Sequence, residues 1–287
     1  MSDNKLSVLA RTEASLRDII RRSPLGTKTL FPVYNSIDKA RYHKQWDRPV
    51  SFRGSNFIIG RDVSLFPSVK IQSFEKAEFD WLLPKVREND VIWDIGANIG
   101  IYCITLSKAK SGVVVEAFEP WPETIEKLKV NLRNNRVSNV NIHEIALSNK
   151  VGQIGFVSLP DAPGCNHMAT NSGICVETTT GESVVENGTA KPDIIKIDVE
   201  GFEPEVLDGM RNLLKDSLPT LLFEVNTFII THQEWEEKWE DMLSWLFSLY
   251  NTGTWFVDGR VEYNISKLSE GKARLQSRAG SLAFCAR

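Results

Sequence analysis

The hydrophobic and polar positions change rhythm along the chain. From Leu6 to Arg22 apolar residues fall at helical spacing, with Leu9, Leu16, Ile19 and Ile20 roughly on one face and basic residues beyond. Residues 23–70 lose that period, with scattered Pro and Gly and short apolar groups such as Phe57-Ile58-Ile59. A regular alternation follows. Phe79, Leu82, Leu83 and Val86 predict a helix, then a strand at Val91-Ile92-Trp93, a turn over Asp94–Gly100 and a helix to about Lys110. A strand at Val113–Phe118, a helix carrying Ile125, Leu128 and Leu132 on one face, and a strand from Val140 to Ile145 repeat the unit. Strand, turn and helix at this spacing read as βαβ units, hence a mostly parallel sheet with right-handed crossovers.

Residues 152–192 break the alternation. Two β-like runs, Ile154–Leu159 and Ile174–Thr178, flank the polar loop Pro160–His167, and the segment reads as a β-rich insertion near the cleft. The rhythm resumes with Ile194–Ile197, a helix near Glu203–Leu214 and a strand at Leu221-Leu222-Phe223. Trp235, Trp239, Met242, Trp245, Leu246 and Leu249 recur every three or four residues, which marks an amphipathic helix whose aromatic stripe faces a core. The end reads as antiparallel: Trp255-Phe256-Val257, the turn Asp258-Gly259 and a final strand Ser281–Cys285. The sum is a Rossmann-like α/β domain over 71–287: seven strands, mostly parallel, the last antiparallel, with helices on both faces. Residues 1–70 read as an N-terminal extension.

Composition removes several alternatives. The 42% hydrophobic content allows an ordinary core without metal or disulfide staples. Cys103, Cys165, Cys175 and Cys285 lie far apart and form no C-x-x-C pair, so they read as incidental thiols in a reducing compartment. The net charge of −3 offers no general footprint for nucleic acid. No apolar run reaches the roughly 20 residues of a membrane span, and Met1–Arg22 lacks a signal-peptide core, so the expected location is cytoplasmic.

The chemistry starts at the first strand's end. In an open parallel sheet, ligands bind beyond the carboxyl ends of the strands, where strand order reverses. Gly96 and Gly100 lack a Cβ and let the backbone of Asp94-Ile95-Gly96-Ala97-Asn98-Ile99-Gly100 turn tightly against a ligand. The following helix would aim free N–H groups at an anionic part of it. Glu119 ends the neighbouring strand, where an acid accepts ribose hydroxyls. The spacing is G-x-x-x-G rather than the dinucleotide G-x-G-x-x-G. Asp94, two residues before the turn glycine, would repel a pyrophosphate. S-adenosylmethionine carries no phosphate but a sulfonium, an ammonium and a carboxylate, so this acid suits it.

Asp94–Gly100 resembles the first cofactor motif of FkbM-type methyltransferases, and Phe118-Glu119-Pro120 resembles their second strand end. The most specific block is Ile195-Lys196-Ile197-Asp198-Val199-Glu200-Gly201-Phe202-Glu203, followed by Val206-Leu207-Asp208-Gly209. The resemblance spans roughly 72–226. It implies that Asp94, Gly96, Asn98 and Glu119 hold the methionine and ribose portions. Ala97, Gly100, Pro120, Trp121 and Ala146 are expected to complete the cofactor pocket. It also points to O-methylation of a hydroxyl on a sugar, glycan or secondary metabolite. Nitrogen methylation is the alternative. The Asn/Asp-Pro-Pro-aromatic block of amino-methylating nucleic-acid enzymes is missing, since Asp198-Val199-Glu200-Gly201 stands there. An oxidoreductase on the same fold is the more distant one.

An alcohol acceptor needs a base or a cation beside its developing alkoxide. Asp198 and Glu200 follow the fourth strand and, as i and i+2 residues, would share a side; Glu224 ends the fifth. One of them, Asp198 or Glu200 first, is a candidate base, or the three could hold a divalent cation through oxygen. Glu203 reads as a helix cap, and Lys196 as the partner of an acid. Of the histidines, His167 alone sits in the insertion where it could meet substrate; His43, His143 and His232 read as surface or packing residues.

Overall fold

The computed structural model describes residues 48–60, 62, 65–70, 72–158, 167–168, 174–225, 233–257, 260–265 and 280–286. The helix expected over Leu6–Arg22, His43, His232 and the loop up to Asn166 lie outside them. The chain divides into two compact units, Met1–Phe74 with Leu159–Gly164, and Glu75–Ser158 with Cys165–Arg287.

In the first unit, β1 (Val50–Phe52) and β2 (Ser55–Phe57) form an antiparallel hairpin with Phe52 opposite Ser55. Arg53 and Gly54 both take positive φ, 44° and 79°, the backbone that a two-residue hairpin turn demands. A short helix, α1 (Leu65–Lys70), follows.

The second unit opens with α2 (Lys76–Leu82), which tightens into a 3-10 turn at Leu83–Lys85. Next come β3 (Val91–Ile95), α3 (Ile101–Ser107), β4 (Val114–Phe118), α4 (Pro122–Asn134) and β5 (Val140–His143). Pro122 begins α4, where its fixed φ suits a first helical residue and its missing N–H costs nothing. Thr124, Ile125, Leu128 and Leu132 then form the buried stripe of α4, three and four residues apart.

Four short strands follow or interleave: β6 (Ala146–Leu147), β7 (Gly152–Val157), β8 (His167–Met168) and β9 (Cys175–Thr179). They make a separate sheet in the order β6-β9-β7-β8. Thereafter come α5 (Gly181–Glu186), β10 (Ile194–Ile197), α6 (Glu203–Asp208), α7 (Arg211–Ser217), β11 (Thr220–Val225), α8 (Gln233–Leu249), β12 (Gly253–Val257), β13 (Arg260–Ile265) and β14 (Gly280–Phe284).

The main sheet runs β13-β12-β14-β11-β10-β3-β4-β5. Strands β5, β4, β3, β10 and β11 are parallel, and the last strand, β14, runs antiparallel to both β11 and β12. The expected seven strands are thus present, and β13 adds an eighth at the edge, with Arg260 opposite Val257. All four residues of β10 are buried, as befits an interior parallel strand covered on both faces.

The core gathers Trp93, Ile195, Leu221, Phe223 and Phe284 from the sheet with Val206, Leu214, Trp239 and Leu246 from the helices. Trp239 is 2% exposed and stacks on Phe223 at 6.0 Å, so this part of the aromatic stripe of α8 belongs to the core. The single helix expected near 203–214 is two short ones. A Cβ on Gly209, between them, would lie 1.9 Å from the carbonyl oxygen of Ser148, a backbone approach only glycine permits. Strand order reverses between β3 and β10, which places the loops after these strands at the switch point.

Candidate active site

The loop after β3 is held by its neighbours rather than by its own side chains. The N–H groups of Gly96 and Ala97 both donate to the carbonyl oxygen of Phe118, at 2.9 and 3.0 Å. Gly96, Asn98 and Gly100 take positive φ of 78°, 50° and 92°. A Cβ on Gly96 would stand 1.9 Å from the carbonyl oxygen of Asp198, and one on Gly100 2.5 Å from Leu128 Cδ1. Gly96 is therefore required twice over, by backbone angle and by crowding against backbone, whereas Gly100 is required by its backbone angle. Asp198 N–H donates to the carbonyl of Ile95, so the β3 and β10 loops touch directly.

Glu119 ties the second strand end to this turn. Its Oε2 accepts the N–H of Asn98 and its Oε1 the N–H of Trp121, each at 3.0 Å. Each oxygen keeps a further lone pair for a hydroxyl donor. Burial pushes its carboxyl up to about 7 against those two bonds. Trp121 stacks on Phe156 at 5.1 Å and packs with Ala146, so the smaller sheet is fastened beside this strand end.

Asp94 is fully buried, and neither of its oxygens has a hydrogen-bond partner. Lys196 Nζ approaches its Oδ1 only to 3.8 Å, an ion pair beyond hydrogen-bond length. Burial raises the Asp94 carboxyl, with Lys196 opposing. The side-chain oxygen of Asn98 is likewise buried and unpartnered. Orphaned acceptors beside a glycine turn are what a cationic, hydrogen-bond-donating ligand would satisfy.

Asp198, Glu200 and Glu224 converge, with one carboxylate oxygen from each inside a 4.8 Å cluster. The reason differs from strand alternation, because β10 ends at Ile197 and a turn brings Glu200 round. Glu200 and Gly201 have φ of 55° and 99°. Glu203, fully buried, does not cap its own helix; its Oε1 accepts the N–H groups of Val199 and Gly201 at 3.0 and 3.2 Å, and so fixes the turn. Burial pushes its carboxyl up to about 7. Glu224 is pushed well above the usual carboxylate range, first by burial and then by Asp198 and Glu200. Lys196 Nζ donates to Asp198 Oδ2 at 3.2 Å. Three acids this close can share protons or receive a hard cation.

His167 lies on β8, opposite Val157 of β7, and is not part of the acid cluster. His143 is a packing residue, stacked on Phe118 at 4.5 Å and bonded to Glu116 at 2.6 Å. Sequence reasoning missed Glu75 and Tyr102. Tyr102 Oη donates to Glu75 Oε2 at 2.5 Å, and the Tyr102 ring lies 4.7 Å from Lys196 Nζ. No local pattern joins residues 75, 102 and 196; only the fold does.

Compared with known proteins, residues 94–251 match the model of the methyltransferase FkbM domain. AglP, a hexuronic acid methyltransferase of Haloferax volcanii, is 36% identical over 183 residues, spanning 62% of this chain and 74% of its own length. The 31-O-demethyl-FK506 methyltransferase FkbM of Streptomyces tacrolimicus is 28% identical over 162 residues, spanning 45% of this chain and 62% of its own. A crystal structure of methyltransferase FkbM from Methylobacillus flagellatus superposes with a TM-score of 0.47 at 17% identity, over 70% of this chain and 44% of that one.

Proposed function

The chain belongs to the FkbM methyltransferase family, and on that premise we propose that it methylates a hydroxyl group on a sugar or glycan, with S-adenosylmethionine as donor. The observation that carries the reading is Asp94: a fully buried carboxylate beside a glycine turn, with no hydrogen bond to either oxygen and only the longer ion pair to Lys196. A phosphate there would meet like charge, whereas a cation would be held. Asn98 offers its orphaned side-chain oxygen, and Glu119 its spare lone pairs, to donors on the same ligand. Gly96, Ala97 and Gly100 would form the cradle, with Pro120, Trp121 and Ala146 along the side where the smaller sheet attaches.

When bound, the cofactor supplies an activated methyl group on sulfur. The protein's part is to hold the acceptor in line and manage its proton. Asp198 would take the hydroxyl proton as general base, with Lys196 beside it to stabilise the anionic oxygen. Glu200 and Glu224 would orient the acceptor, and His167 would contact it from the smaller sheet. The sugar assignment draws on AglP, whose name specifies a hexuronic acid, and on FkbM, whose name specifies methylation at oxygen.

Two measurements test this. Titration calorimetry should show binding of S-adenosylmethionine and of its demethylated product, and none of NAD. Mass spectrometry across glycans with uronic acid or neutral termini should then find a one-methyl gain that survives mild base, as an ether does and an ester does not. Binding of NAD alone would refute the cofactor; a base-labile methyl would refute the acceptor.

A further inference from the structure

Glu75 stands before α2 with a left-handed backbone, φ 37°. The residue as a whole is half-buried, but its carboxyl end is enclosed and accepts a hydrogen bond from Tyr102. Tyr102 lies beneath Lys196, whose ammonium is 3.2 Å from Asp198 and 3.8 Å from Asp94. Burial works against the charge on Lys196, yet Asp198, Asp94 and Glu75 together hold it firmly protonated. One ammonium thus serves three carboxylates. Glu78, on α2 itself, and Glu224, on β11, are two further carboxyls facing Glu75, each pushed up by burial.

Enclosed like charges are costly to the folded protein unless they are neutralised. With one ammonium among these acids, the empty pocket is most stable with a proton on its carboxylates. The two direct ion pairs of Lys196 go to Asp94 and Asp198. Glu75 has a neutral hydroxyl as its bonding partner instead, and a protonated carboxyl can still accept that bond on its other oxygen. Burial first, and Asp198 second, push the Glu75 carboxyl up to about 8, against Lys196 and Tyr102.

We propose that Glu75 holds a proton in the empty site and releases it to solvent when the methyl donor binds, so that this residue matches the pocket's charge to that of the cofactor. The inference rests on S-adenosylmethionine being the donor. That molecule carries one more positive charge than its demethylated product, so the donor displaces a proton and the product displaces less. Over a turnover the charges balance. The C–O bond forms, the S–C bond breaks with its electron pair left on sulfur, and the acceptor's hydroxyl proton goes to Asp198, so that the pocket regains the proton that donor binding released from Glu75.

Calorimetry of the full chain near neutral pH, in phosphate and in Tris, reports the protons exchanged as the difference in apparent heats. Up to about one proton should leave per donor bound, since a group near 8 is mostly protonated at 7. The demethylated product should release clearly less. Glu75→Gln should bind the donor with clearly less proton release than the wild type. Tyr102→Phe removes a bond that favours the ionised carboxyl, so the release should persist with its midpoint moved to higher pH. Buffer-independent heats in the wild type, or undiminished release from Glu75→Gln, would overturn the proposal. Should Glu75→Gln fail to fold, an unshifted midpoint in Tyr102→Phe overturns it instead. Absence of any donor binding refutes the functional reading itself, a separate result from binding without proton release.

Discussion

Gly96 and Asp198 meet at the switch point of the sheet, where a methyl group on the glycine would stand 1.9 Å from the aspartate's carbonyl oxygen. The contact joins the cofactor turn after β3 to the acid-bearing turn after β10. Gly96 also has φ 78°, which L residues adopt at a cost of roughly 1–2 kcal/mol. Gly96→Ala therefore combines strain with overpacking against backbone, itself about 1–3 kcal/mol. The variant should melt several degrees lower and lose cofactor affinity, because relief of the clash must part the two turns. Wild-type affinity in calorimetry would mean that the turns act independently.

Asp94→Asn keeps the shape and removes the charge. A buried carboxylate without hydrogen bonds is costly to the folded protein, and burial already raises its carboxyl. Stability should hold or improve, although Lys196 loses one of its partners. Affinity for the cationic donor should fall by about tenfold to a hundredfold, that is, about 1.4–2.8 kcal/mol. A thermal melt and a titration read the two effects separately, and equal affinity would remove Asp94 from the binding site.

What the sequence made legible followed chain order. Asp94, the glycines and Glu119 sit within single strand–turn–helix units, so their relation is local and survives without coordinates. Lys196 facing Asp94 was half visible as an acid's partner; the parallel register of β10 on β3 supplies the identity of that acid. Asp198 and Glu200 were expected on one side by strand alternation, and they meet through a left-handed turn instead. Glu75 and Tyr102 were invisible, because their proximity to Lys196 depends on how α2 and α3 pack. The need for glycine at 209 is equally hidden, since the backbone that crowds it is that of Ser148, 61 residues earlier in the chain. The sequence offers Trp255-Phe256-Val257 and the final strand as its antiparallel end and gives no sign of β13; β12 pairs with both β13 and β14.

Asp198→Asn should leave cofactor affinity nearly intact and slow methyl transfer by about 10²–10⁴-fold, the usual contribution of a positioned base. The hydrogen bond from Lys196 can still be accepted by the amide oxygen, so the turn should survive. Since Lys196 already supplies a cation at this carboxylate, treatment with EDTA should leave the wild-type rate unchanged. Single-turnover rates with and without chelator check both expectations. A rate lost to EDTA and restored by magnesium would assign the acid cluster to a metal.

Glu203→Ala should act through the turn it holds. Its Oε1 accepts two N–H groups, and stranding buried donors costs about 1–3 kcal/mol each. Some of this is offset, because the buried carboxyl is no longer desolvated. We expect a lower melting temperature and a turnover defect at saturating cofactor. Glu203→Gln, which keeps an accepting oxygen, should recover most of both. If the glutamine variant is as impaired as the alanine one, the carboxylate has a role beyond fixing the turn.

Stability should fall as the solution becomes more alkaline through neutrality. Burial raises the carboxyls of Glu75, Glu119 and Glu203, to about 8, about 7 and about 7. A carboxyl whose folded value exceeds its unfolded one binds more protons in the folded state. Its contribution is therefore complete below the unfolded value near 4.5 and is lost as pH rises through the folded value. The window runs from about pH 5 to about pH 8, where proteins stabilised by paired carboxylates show little change. Calorimetric melting temperatures should decline across it for the cofactor-free protein. Saturating S-adenosylmethionine should flatten the slope at its alkaline end, because a bound cation favours the ionised form of Glu75. A melting temperature that climbs with pH in the free protein would show that these acids are solvated, and that the pocket is not the low-dielectric enclosure on which its cation selectivity depends.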